Sequence, residues 1–109
     1  MTLFLAIAVA AAPLSENRAT ELVFDALARL YPTERYCFSL LTEEKSAREF
    51  DIAAYEKHDR RCGGDPQVMH VRDRFRVGRS PIRLWIETAE GDLHACRLRR
   101  GKRPQCPEL

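Results

Sequence analysis

The stretch VRDRFRVGRSPIRLWIE, Val71 to Glu87, decides the fold. Val71, Asp73, Phe75 and Val77 alternate with Arg72, Arg74 and Arg76. Successive side chains of a strand point to opposite faces, so this pattern predicts a strand with one face toward a core. Ser80-Pro81 interrupts it, because proline has no N–H to donate to a ladder. The alternation resumes with Ile82, Leu84 and Ile86 inward and Arg83, Trp85 and Glu87 outward. Two such runs around a break predict an antiparallel pair with one apolar face. That face needs cover.

The cover lies upstream. From Ser15 to Leu30, Ala19, Leu22, Val23, Ala26, Leu27 and Leu30 recur at steps of three and four, an amphipathic helix with a single apolar stripe. Ser15 or Asn17 suits its cap, and Pro32 ends it. Arg35–Thr42 reads as a strand with Tyr36, Phe38 and Leu40 on one side. A charged turn, EEKS, then leads into REFDIAAYEKH, where Phe50, Ile52 and Ala54 alternate with Asp51, Ala53 and Tyr55. Downstream, Ala89–Asp92 reads as a turn and LHACRL as a returning strand. The expected fold is α+β: one N-terminal helix packed on a four- to five-stranded antiparallel meander.

The chain has 109 residues, suiting one domain, with 45% apolar residues and a net charge of +2 that implies no polyanion partner by itself. Its start, LFLAIAVAAAP, is uncharged and too short for a membrane span, which needs about twenty apolar residues. It fits the apolar part of a signal peptide cleaved after Ala10, leaving residues 11–109 as the mature domain. No Lys or Arg precedes the run. Either the initiator amine supplies that charge or the true start lies upstream of Met1.

Export governs how Cys37, Cys62, Cys96 and Cys106 are read. An even count in a short exported chain predicts disulfides, and four cysteines allow three pairings. The expected hairpin brings the start of its first strand near the end of its second, so Cys37–Cys62 is sterically reasonable. Cys96–Cys106 then closes the basic C-terminal segment onto the last strand.

The segment HDRRCGGDPQ, His58–Gln67, gathers residue types that sites are made from. His58, Asp59, Cys62, Asp65 and His70 are metal-ligand types, yet their spacing matches no closed zinc motif. A phosphate cradle needs a following helix N-terminus, and here Asp65-Pro66 and a strand follow instead. Gly63-Gly64 therefore reads as a tight turn. No Gly-x-Ser-x-Gly elbow is present, no acid/base pair falls in a recognisable cleft, and no motif asks for a cofactor; the chain reads as non-enzymatic.

The functional lead is basic. Arg72, Arg74 and Arg76 share one side of a strand, and Arg83 and Trp85 share the outer side of the next. Arg and Trp are the types most enriched at binding hot spots. Arg79, Arg97, Arg99, Arg100, Lys102 and Arg103 extend the charge toward the C-terminus. Export argues against nucleic acid as the partner. The bland alternative is a solvated face whose arginines pair with Asp51, Asp73 and Glu87.

The order IAAYEKHDRRCGGDP, RFRVGRS, IRLWIETAEGDL resembles a group of small exported bacterial proteins of unknown function, over most of Phe50–Leu93. More loosely, a helix before a meander is similar to PepSY-type domains, envelope modules that bind or inhibit other proteins. The resemblance implies fold and compartment and carries over no catalytic residue. The function expected is that of an exported, periplasmic binding protein, of inhibitor or immunity type, acting on an envelope protein or anionic polymer. The alternative is a metal-binding or thiol-redox module centred on Cys62.

Overall fold

The computed structural model describes residues 12–109. The expected signal segment, residues 1–10, lies outside them. One helix, α1 (Glu16–Leu30), is followed by strands β1 (Phe38–Lys45), β2 (Glu49–Glu56), β3 (Val71–Arg79), β4 (Ile82–Glu87) and β5 (Leu93–Ala95). All neighbours are antiparallel and the spatial order is β1-β2-β3-β4-β5, a meander of five strands. The α+β architecture is as expected.

α1 forms where its stripe places it. Ser15 caps it, its hydroxyl accepting from the Arg18 N–H at 3.2 Å, and Ala19, Val23, Ala26 and Leu27 face the sheet fully buried. The sheet meets them with Phe50, Ile52, Phe75, Val77, Leu84 and Ile86, each at most 3% exposed. Register pairs Ile52 with Phe75 and Phe75 with Ile86, so the core is a row of large side chains beneath the helix.

Two local expectations are corrected. The EEKS segment is not a turn: β1 runs on through Lys45, and a bulge between Thr42 and Glu44 absorbs Glu43. The turn is Ser46–Arg48, because the Ser46 hydroxyl accepts from the amides of Arg48 and Glu49, both at 3.1 Å. Arg79 does not extend the basic surface either. Its guanidinium lies over the Phe50 ring, donating to the carbonyls of Leu14 and Ser46, both at 2.9 Å.

Both expected disulfides are present, Cys37–Cys62 and Cys96–Cys106, and the described residues include no free cysteine. Such bonds persist outside the reducing cytosol, which suggests an extracytoplasmic setting. Among the described residues, no helix is long and apolar enough to cross a membrane.

Candidate binding surface

The sheet face opposite α1 carries most of the candidate residues. Register lines them up across the strands: Ala53, Arg74 and Glu87 form one row, Asp51, Arg76 and Trp85 the next, then Gly78 with Arg83. Arg74, Arg76, Arg83 and Trp85 are thereby brought onto one face. The central arginines are neutralised there. Arg74 donates to Glu43 at 2.9 Å, and Arg76 to Asp51 at 2.9 Å with Glu49 at 3.6 Å. The hydrogen bonds they donate to Glu43 and Asp51 push the two guanidinium pKa values further up. Trp85 lies against Gly78, where an added Cβ would stand 3.4 Å from its ring.

Arg72 is not with them. The β2–β3 register slips between Ala54 and Tyr55, leaving Arg72 as the extra residue of a bulge, which re-aims its side chain. Its guanidinium lies 4.9 Å from the Tyr31 ring centroid and pairs with Glu34 and Glu56. Arg72 therefore joins the helix end to the sheet. Beside it the Tyr31 hydroxyl donates to Asp73 at 2.7 Å, at the wall of a cleft that also includes Leu30, Ile86 and His94. Burial and the Asp73 bond push the Tyr31 pKa up to about 12, and burial raises the Asp73 carboxyl as well.

HDRRCGGDPQ is an anchored loop. Gly63 and Gly64 have φ of +77° and +84°, the left-handed region that favours glycine. The Asp59 carboxylate accepts from the amides of Arg61 and Cys62, and that of Asp65 from the amide of Gln67. Among the described residues no three His, Cys, Asp or Glu side chains are grouped to hold a metal. His58 acts as a staple: Nδ1 faces the carbonyls of Val68 (2.7 Å) and Asp65 (3.0 Å), and Nε2 faces Glu56 (3.0 Å). Both nitrogens meet acceptors, so the doubly protonated ring fits best. The hydrogen bond to Glu56, then that to Val68, raises the His58 pKa. A raised folded-state value gives stability that is complete below the ordinary histidine range, about 6.5, and is lost as pH rises through the raised value. Amide protection across Gly64–Val68 is expected to fall over that pH window, and His58→Gln to abolish this pH dependence. An unchanged profile in that variant refutes the staple.

One cluster of positive charge without ion pairs among the described residues lies elsewhere, where two features meet. The Cys96 amide donates to the Leu84 carbonyl at 2.9 Å, continuing the β4–β5 register so that Arg97 stands opposite Arg83. Beyond it, the Cys96–Cys106 bond closes a loop containing Arg97, Arg99, Arg100, Lys102 and Arg103 and no carboxylate. Reciprocal Arg97–Gln105 backbone bonds of 2.7 and 2.9 Å and a turn at Gly101 (φ +73°) shape it as a small hairpin. Neither Arg83 nor any of the five loop cations forms an ion pair among the described residues. On the outward face Glu43, Glu49 and Asp51 are thus paired with Arg74 and Arg76, whereas Arg83 and Arg97 have no ion-pair partner among the described residues. The chain matches no family model, no curated protein and no solved structure.

Proposed function

We propose that this is a periplasmic or secreted, non-enzymatic binding protein that docks onto an acidic surface of an envelope protein, in the manner of an inhibitor or immunity protein. The cationic loop Cys96–Cys106 carries this reading. Five like charges in one short loop repel one another, and a disulfide holds them together with no internal anion. An arrangement that costs stability points to recognition, because an anionic partner relieves the repulsion. Arg83 and Trp85 extend the surface onto the sheet, supplying a guanidinium and an aromatic anchor. The paired Arg74 and Arg76 offer less to an anion, so the expected contact shifts from the strand centre to the β4–loop end. The extracytoplasmic disulfides and the resemblance to small exported proteins support the compartment.

Capture from an envelope fraction tests this with two variants. Reversing Arg99, Arg100 and Lys102 to Glu is expected to weaken capture by about a hundredfold or more, each contact to a charged group contributing roughly 1.5–3 kcal/mol at most. Arg74→Ala is expected to leave it within about threefold, since exposed ion pairs contribute little. Equal loss in both variants, or none in the first, sinks the loop as the contact. Competition by a soluble polyanion that fully replaces the captured protein turns the assignment toward an anionic polymer.

A further inference from the structure

The cleft beside Tyr31 has a volume of about 1190 Å³ and reaches a half-buried carboxylate, Asp73. Asp73 shares a face of β3 with the buried Phe75 and Val77, so it points to the helix side of the sheet. There it meets Tyr31, the residue that ends α1, whose hydroxyl donates to Oδ2 at 2.7 Å. Oδ1 has no donor among the described residues. No buried side-chain oxygen among them lacks a partner, so Oδ1 stays open to the cleft.

The charge of the cleft is one-sided. Arg72 and Arg74 line it, but Glu34, Glu56 and Glu43 hold their guanidinium groups. Asp73, Glu87, Glu90 and Glu108 line it too, and none forms an ion pair among the described residues. Tyr31 and His94 are the other titratable groups on its walls, and Leu30, Val71 and Ile86 add apolar surface. A cleft with apolar walls and a few oriented polar groups is the ordinary form of a ligand site.

We propose that this cleft binds an alkylammonium group, the cation seated on Asp73 Oδ1 and its stem against Leu30 and Val71. A carboxylate fixed through one oxygen offers a single acceptor, which suits a compact ammonium. A guanidinium gains most from two parallel bonds to one carboxylate, and Tyr31 already occupies one of the oxygens. Burial disfavours the charged form of Asp73, and an ammonium beside it reverses that effect. A free alkylamine and a lysine side chain of a partner protein carry the same chemistry.

NMR titration of the oxidised protein with n-butylammonium, n-butylguanidinium and a capped lysine peptide tests this site. Shift changes are expected at Tyr31, Asp73 and Ile86, with the ammonium binding more tightly than the guanidinium. Saturation is expected to lower the pKa of the Asp73 carboxyl, read at its carbon. Asp73→Asn keeps the shape and an acceptor for Tyr31, and is expected to weaken binding about tenfold or more. Tyr31→Phe frees Oδ2 and is expected to move the preference toward the guanidinium. Binding of n-butylammonium supports the site with a free amine as its source; binding of the peptide alone supports it with a protein lysine. An Asp73 pKa unmoved at saturation, Asp73→Asn that binds as the unaltered protein does, a preference unmoved in Tyr31→Phe, or no cleft shift with any probe overturns the proposal.

Discussion

Phe75→Ala is expected to lower stability by about 3–5 kcal/mol, the range for truncating a buried aromatic side chain. Phe75 is 1% exposed at the centre of β3, registered between Ile52 and Ile86 and facing the buried stripe of α1. Its removal exposes no polar group, so the loss is that of apolar burial plus the cavity left behind. Backbone pairing with both neighbouring strands resists collapse into that space, which places the effect toward the upper end. Against a total stability of about 5–15 kcal/mol for a domain of ordinary size, the variant sits near the edge of folding at room temperature. Urea unfolding checks this: the midpoint falls with an unchanged slope. Leu41→Ser, at an exposed position on the same sheet, is the control and shifts stability by about 0.5 kcal/mol or less. A Phe75→Ala loss below about 1 kcal/mol places the core elsewhere.

The elements that sequence made legible are those governed by local rules. The stripe from Ala19 to Leu30, the Ser15 cap and the Pro32 stop together specify α1. Period two assigns Phe50, Ile52, Phe75, Val77, Leu84 and Ile86 to one face. The Cys37–Cys62 pairing follows from hairpin geometry, which brings the start of β1 beside the residues after β2. What resisted reading depends on one extra residue. A bulge opposite Ala54 and Tyr55 removes Arg72 from the row that its spacing predicts, and nothing in VRDRFRV marks it. The bulge at Glu43 likewise hid a strand inside a charged run, together with the carboxylate that neutralises Arg74. Ala53, counted with the polar side by alternation, is fully buried on the outward face between its cross-strand neighbours Leu41 and Arg74. The absence of any acid between Cys96 and Cys106 was legible throughout. Its weight depends on the pairing of the strand arginines, which only the tertiary structure brings about.

Pairing also separates two kinds of arginine that look alike in sequence. Arg72, Arg76 and Arg79 spend their donors on Glu56, Asp51 and the carbonyls of Leu14 and Ser46, and so connect elements of the fold. Arg83, Arg97, Arg99, Arg100, Lys102 and Arg103 form no ion pair among the described residues. A guanidinium already satisfied gains little from a new anion, while one in a crowd of like charges gains most. Under the proposed function, recognition therefore falls to the residues that stabilise the fold least.

The two disulfides are expected to divide along the same line. Cys37–Cys62 spans 25 residues and ties the anchored loop at Gly63-Gly64 to the start of β1. In the chain-entropy account, replacing both cysteines by alanine costs roughly 3–4 kcal/mol. The cost is mainly global, because the loop being closed contains all of β2. Cys96–Cys106 spans only 10 residues, and its removal costs roughly 2–3 kcal/mol by the same argument. Its effect on binding is expected to be the larger. Once opened, the Arg97–Arg103 segment spreads under its own repulsion, and an anionic partner has to reassemble it. Denaturant unfolding beside partner capture separates the two variants: the Cys37/Cys62 pair shows the greater loss of stability with capture intact in the folded fraction. The Cys96/Cys106 pair shows capture weakened by about tenfold or more at full folding. The same order for both properties in both variants means that the second bridge merely holds the fold, and the loop loses its claim to recognition.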